Sequence, residues 1–250
     1  MGAVMGVLSF LRTDKTATDD AKKAMKEART GKDAGALESL VNTFRDIGID
    51  GKATFASAKT VAKRAKRRRS TERAVKKIIA SHRRRATVGG FVTGLGGAIT
   101  LPVMLPANVL EFYVIATRMT AAIASVRGYD INDQEIRTRI LAALVGEESG
   151  DLLGSVGLGP VGGAASRQVA KRLPQSDVSR ITKAIGARAV RRFSLRSARL
   201  FGKAIPGAGG VLGAWADRRA LKKIAQTAKA TFPPLSRKEL KAAAKAQKKR

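Results

Sequence analysis

A chain of 250 residues with a formal net charge of +30, no cysteine and one histidine excludes several kinds of chemistry at once. Disulfides, thiolate catalysis and cysteine-ligated metals are ruled out, and His82, set among Arg83, Arg84 and Arg85, cannot build a histidine metal site alone. No metal and no cofactor is expected. Aromatics make up only 4% of the chain, whereas alanine, glycine, lysine and arginine are plentiful, which suits helices packed at short distance. The expected fold class is all-α, a compact helical bundle.

The charge is unevenly placed. Residues 1–50 hold eight Lys/Arg and eight Asp/Glu, so the remaining 41 basic and 11 acidic side chains carry the whole +30. Polyanions are the expected partners of that cationic body: an anionic membrane surface or nucleic acid. The first residues, MGAVMGVLSFLR, lack a basic start and a small-residue cleavage site, so no secretory signal is read there. Gly6 stands where a myristoylation signal needs Ser or Thr, and the expected location is the cytoplasmic side.

Residues 1–32 read as a mobile arm with a weak helix from Asp20 to Arg29. An amphipathic helix follows from Asp33 to Ile47, where Leu37, Leu40, Val41 and Phe44 fall on one face. Gly48 and Gly51 end it. Next comes a basic block, Lys63 to Arg85, with twelve Lys/Arg against one acid, Glu72. Ser70 is the expected N-cap of a helix carrying a narrow stripe of Val75, Ile78, Ile79 and His82. Lys63, Arg64, Lys66, Arg67, Arg68, Arg69, Lys76, Lys77, Arg83, Arg84 and Arg85 are the candidate lipid- or polyanion-binding residues. The bland alternative is a solvated basic helix.

Thr87 to Leu110, TVGGFVTGLGGAITLPVMLPANVL, then runs 24 residues without a charge. That is about the length of helix needed to cross a ~30 Å hydrocarbon core. Gly90 and Gly94 form a G-x-x-x-G pair suited to close helix contact. Pro102 and Pro106 predict a turn or break near Leu101–Leu105. The stretch therefore reads as a helical hairpin shaped by Gly90, Gly94, Gly97, Pro102, Pro106 and Asn108. It is either the core of a soluble bundle or an apolar hairpin inserted in a bilayer. Glu111 and Arg118, seven apart on the second arm (Ala107 to Val126), are a candidate buried polar pair.

Asp130, Asn132 and Asp133 mark a turn and an N-cap before a helix from Gln134 to Val145, with Ile136, Ile140, Leu141 and Leu144 on one face. Glu147, Glu148 and Asp151 form the acidic cluster of the body, read as a counterbalance to the basic surface rather than as a metal site. Leu152 to Ser166 is a second uncharged run. Its Gly157-x-Gly159-x-x-Gly162 has the form of a dinucleotide fingerprint, but that motif has meaning only after a β-strand and none is expected. Basic helices are expected around Asp177 to Phe193 and Ser194 to Phe201, then a third glycine-rich apolar segment, Ala204 to Ala216, containing Trp215 and followed by Asp217. Ser236 and Glu239 form a capping box for a last helix with a cationic tail.

The run GGFVTGLGGAITLPVMLPANVLEFYVIATRMTAAIASVRGYDIND resembles the signature of the EcsC family, through its glycine-rich entry, its T-L-P-V…P-A-N stretch, Arg118-Met119 and the G-Y-D that follows. KAIPGAGGVLGAWAD is similar to that family's closing segment. The resemblance covers about residues 70–232. It implies a membrane-associated helical domain linked to an ABC-type transporter locus, with no defined reaction and no catalytic set. The expected layout is a neutral N-terminal arm over 1–60, an EcsC-like domain over 61–235 and a basic tail over 236–250.

The leading expectation is thus a non-enzymatic, membrane-associated protein that binds anionic lipid through basic helices and an apolar hairpin, accessory to a transporter or envelope system. The alternative is a sequence-independent nucleic-acid binder, which the scarcity of aromatics for base stacking disfavours. An enzyme is third, with Glu111, Arg118, Tyr129 and Asp130 the polar groups nearest the apolar centre.

Overall fold

The computed structural model describes residues 34–51, 56–95, 97–158, 161, 181–188, 191 and 208–248; the expected arm over 1–32 and most of the basic stretch from Asp177 to Phe201 lie outside them. The described residues form an all-α bundle without a strand. Its helices are α1 (Ala34–Arg45), α2 (Ala58–Lys66), α3 (Thr71–Leu95), α4 (Gly97–Val126), α5 (Gln134–Ala142), α6 (Ser149–Ser155), α7 (Ala208–Thr231) and α8 (Arg237–Lys248). A π-helical turn, Asp46–Asp50, continues α1, and a 3-10 stretch, Ala143–Glu148, joins α5 to α6.

Local chemistry sets several of these boundaries. Ser57 opens α2 by accepting from the Thr60 N–H (3.3 Å), and Asp133 opens α5 by accepting from the Glu135 N–H (2.9 Å). The capping box of α8 forms as its spacing predicts. The Ser236 N–H donates to Glu239 Oε2 (2.8 Å), and the Glu239 N–H donates to Ser236 Oγ (3.3 Å). Gly146, at φ 75° and ψ −128°, turns the chain within the 3-10 stretch, a conformation open to glycine and strained for other residues.

Helix α4 is the centre. It packs against α1, the π-turn, α2, α3, α5 and α7. Thirty residues give it a length of about 45 Å, and Leu110, Ile115, Met119 and Ile123 are fully buried along it. Val109–Val126 is long and apolar enough to cross a membrane, yet 89% of it is buried inside the protein. This part of the second arm is therefore the core of the bundle.

The break expected near Leu101–Leu105 is absent. Pro102 and Pro106 lie inside α4, and the chain is helical on both sides of them; α3 ends at Leu95 and α4 begins at Gly97. A proline deletes one intrahelical hydrogen bond and bends the axis, but it leaves the neighbouring bonds in place.

Helix α1 packs on the same core. Val41 and Phe44 are fully buried, and Phe44 stacks on Tyr113 of α4 with ring centroids 4.9 Å apart. The π-turn follows this contact inward. A Cβ at Gly48 would lie 2.6 Å from Thr117 Cβ and 3.2 Å from the Val114 carbonyl oxygen. Gly48→Ala is therefore expected to lower stability by about 1–3 kcal/mol, because neither neighbour sits on a flexible side-chain end. The check is the midpoint of chemical denaturation. An unchanged midpoint would show that the turn does not press on α4.

One guanidinium ties three helix ends together. Arg127, just past α4, donates to the Lys229 carbonyl of α7 (2.8 Å), to the Phe232 carbonyl, and to Glu72 Oε1 near the start of α3 (3.0 Å). Tyr129 adds a bond from its hydroxyl to the Pro233 carbonyl (2.8 Å). These contacts set α3 antiparallel to both α4 and α7.

Candidate functional site

The predicted basic block is presented to solvent. Lys63, Arg64 and Lys66 on α2, Arg67, Arg68 and Arg69 in the turn after it, and Lys76, Lys77, Arg84 and Arg85 on α3 are exposed, while Arg83 is half-buried. Ser70 Oγ accepts from the Arg73 N–H at 3.5 Å, a long version of the expected cap. Arg68 has φ 56°, a left-handed conformation that costs a residue with a side chain about 1 kcal/mol. The chain keeps a cation at a position where backbone geometry favours glycine.

A second group of cations, on α7, joins Arg83. Arg83 of α3 and Trp215, Arg218, Arg219, Lys222, Lys223 and Gln226 of α7 line an open cleft of about 500 Å³. Their spacing is helical: Trp215, Arg218, Arg219 and Lys222 fall at i, i+3, i+4 and i+7, hence on one face. The Arg219 guanidinium lies over the Trp215 ring, 5.4 Å from its centroid. Arg83 Nε is buried without a hydrogen-bond partner among the described residues. The cations that follow Trp215 and Asp217 are not among the residues expected to bind a polyanion. The signal was present in W-A-D-R-R-A-L-K-K as an aromatic followed by cations at three- and four-residue spacing.

The antiparallel arrangement orders these groups along the bundle. Arg127 links Glu72 of α3 to Lys229 of α7, and the cleft brings Arg83 beside Trp215 and Arg218. Following α3 from Glu72 to Arg83 therefore means following α7 backwards from Lys229 to Trp215. The same direction leads to the uncharged end of α3 at Leu95, to the start of α4, and to Val211. Val211 and Trp215 are 62% and 59% exposed, and they stand on that side of the molecule. Along the bundle Arg218 and Arg219 come first, then Trp215 beside Arg83, then Val211, then the uncharged helix ends.

Below the cleft lies a buried polar cluster. His82, Arg118 and Asp217 are each about 1% exposed, and Glu111 is partly buried. Burial, opposed by the Ile78 carbonyl and reinforced by the Arg118 charge, pushes His82 down to about 3. Its Nδ1 lies 2.8 Å from that carbonyl, which makes the neutral ring the Nδ1-protonated tautomer. Burial and then the Asp217 carboxylate push Glu111 up to about 7, while Arg118 acts in the other direction. Burial, then Arg85, lowers Arg118 to about 10, with Glu111 holding it up, so the guanidinium stays cationic near neutrality. The predicted Glu111 and Arg118 pair thus shares one site, and Asp217 of α7 completes it.

Other predicted features fall elsewhere. Gly90 and Gly94 are within α3, Gly97 starts α4, and Pro102, Pro106 and Asn108 are within α4. Gly157 follows helix α6 rather than a strand, while Gly159 and Gly162 lie outside the described residues. The dinucleotide pattern therefore lacks its strand. Glu148 pairs with Arg188 at 2.8 Å. Tyr129, whose hydroxyl is raised to about 12 first by burial, is committed to the Pro233 carbonyl.

The described residues thus form an all-α bundle with a cationic cleft between α3 and α7 and uncharged ends on α3 and α4. The family model of the EcsC protein family matches residues 12–233, and the chain belongs to that family. The match begins well before residue 70, in keeping with the packing of α1 and the π-turn into the core around α4. No curated protein and no solved structure matches the chain.

Proposed function

We propose that this protein is a non-enzymatic membrane-surface binder that docks end-on to the cytoplasmic, anionic face of a bilayer. The observation that carries this reading is the order of levels along the bundle. Exposed Trp215 lies beside Arg83 and one helical turn beyond Arg218 and Arg219, and exposed Val211 lies a further turn toward the uncharged ends of α3 and α4. A tryptophan at the headgroup level, cations just outside it and apolar residues beyond form the usual interfacial ordering. The paired glycine-rich ends, the part of the uncharged run from Thr87 to Asn108, act as the inserting hairpin, and the basic helices supply the electrostatic attraction. Each Lys or Arg near an anionic surface contributes about 1 kcal/mol, and insertion adds the second signal that stable attachment needs.

In this arrangement the membrane takes up the end of the bundle only. Val109–Val126 remains core, as its burial requires. A role accessory to a transporter or envelope system follows from the family resemblance, with an integral membrane protein as the further partner.

Flotation with liposomes tests the reading. Binding to anionic but not zwitterionic vesicles, surviving a high-salt wash, is the expected result. Trp215→Ala is expected to make that binding salt-labile. Absence of flotation on anionic vesicles, with salt-sensitive binding of duplex DNA instead, would overturn it in favour of a nucleic-acid role.

A further inference from the structure

We propose that the cleft between α3 and α7 is a specific site for a dianionic phosphate group, the headgroup of a phosphate-monoester lipid or the equivalent soluble phosphate. The membrane reading above bears only on which of these sources supplies the ligand. General attraction to an anionic surface needs cations spread over a face. Here Arg83, Arg218, Arg219, Lys222 and Lys223 instead converge on one concavity of about 500 Å³. Asp217, the acidic residue next in sequence to Arg218, is turned into the core at 1% exposure, so it does not sit on this face. Among the described residues Arg83, Arg218, Arg219 and Lys222 form no ion pair with a carboxylate, and Arg83 Nε has no hydrogen-bond partner.

Cations gathered in this way repel one another, and a ligand with more than one negative charge relieves that repulsion better than a singly charged one. A phosphate monoester carries about −1.5 to −2 at pH 7 and offers three terminal oxygens. A phosphodiester headgroup carries one charge and offers two such oxygens. Guanidinium groups match that geometry through paired N–H donors, and Arg219 is already oriented by its contact with Trp215. The open mouth of the cleft and the position of Trp215, on the way to the apolar ends, place the phosphate at headgroup depth when the source is a lipid.

The test uses the full-length protein and two vesicle preparations of equal surface charge. One contains phosphatidic acid, a monoester, and the other phosphatidylglycerol, a diester. Inorganic pyrophosphate serves as the soluble competitor. The expected result is about tenfold tighter binding to the phosphatidic acid vesicles, with pyrophosphate removing the preference. Arg218→Ala combined with Lys222→Ala, both exposed positions, is expected to weaken both preparations but phosphatidic acid binding about tenfold more, so that the preference is abolished. Lys63→Ala with Arg64→Ala, outside the cleft, is expected to weaken both preparations alike. Equal affinity for the two vesicles, or a preference that survives the cleft substitutions, overturns the site and leaves the anionic-surface reading standing. Cleft-dependent binding of pyrophosphate by a protein that floats with neither vesicle upholds the site, assigns it a soluble ligand and sinks the membrane reading.

Discussion

Stability is expected to fall from both sides of a plateau between about pH 4.5 and 6.5, through two residues of the buried cluster, His82 and Glu111. His82 has a folded value near 3 against an ordinary 6.5. Its contribution is complete above pH 6.5 and is lost as the pH falls toward 3, because the unfolded chain takes up a proton that the folded one refuses. The loss reaches roughly 5 kcal/mol over that whole interval. Glu111 works in the opposite sense, with a folded value near 7 against an ordinary 4.5. Its burial costs nothing below pH 4.5, costs progressively more up to pH 7, and is constant above, at about 3 kcal/mol. Where the two intervals overlap the slopes cancel.

Two substitutions separate the contributions. Glu111→Gln is expected to match the parent protein near pH 4.5 and to be about 3 kcal/mol more stable at pH 8, since the amide has no charge to desolvate. His82→Leu is expected to flatten the acid limb without altering the alkaline one. Urea denaturation between pH 3 and 8 gives both readings. A parent-like slope from pH 6.5 to 7 in Glu111→Gln would show that Glu111 ionises freely and that the cluster is open to water.

Arg127→Ala is expected to destabilise the fold by about 3 kcal/mol, comparable to breaking a buried ion pair. The side chain is 4% exposed and binds the Lys229 and Phe232 carbonyls together with Glu72. Those carbonyls belong to the end of α7, where no intrahelical donor remains for them. The Glu72 carboxylate is half-exposed, so most of the loss comes from the carbonyls and little from the ion pair. Glu72→Gln is accordingly expected to cost under about 1 kcal/mol. If both variants lose equal stability, the ion pair rather than the cap secures α7.

Periodicity and capping chemistry made much of the bundle readable beforehand. The stripe of Val75, Ile78 and His82, the cap at Asp133 and the box at Ser236 and Glu239 all appear where local rules put them, because each depends on residues within one or two turns. The helix through Pro102 and Pro106 did not follow, since proline weakens a helix locally but does not fix where two helices part. The candidate site was half legible. Glu111 and Arg118 share a face by spacing alone, whereas Asp217 joins them from a hundred residues away through the packing of α7.

The sequence by itself determined the helical class, the cationic body, the uncharged run and membership of the EcsC family, because composition, period and motif are properties of the chain read along its length. Only the tertiary structure decided that Val109–Val126 is the core rather than a lipid-facing span. The same apolar side chains satisfy a bilayer or a bundle, and neighbouring helices alone settle which solvent they meet. It also decided that Arg83 faces Arg218, Arg219 and Lys222 across one cleft. That juxtaposition arises from two antiparallel helices, and no local pattern records it.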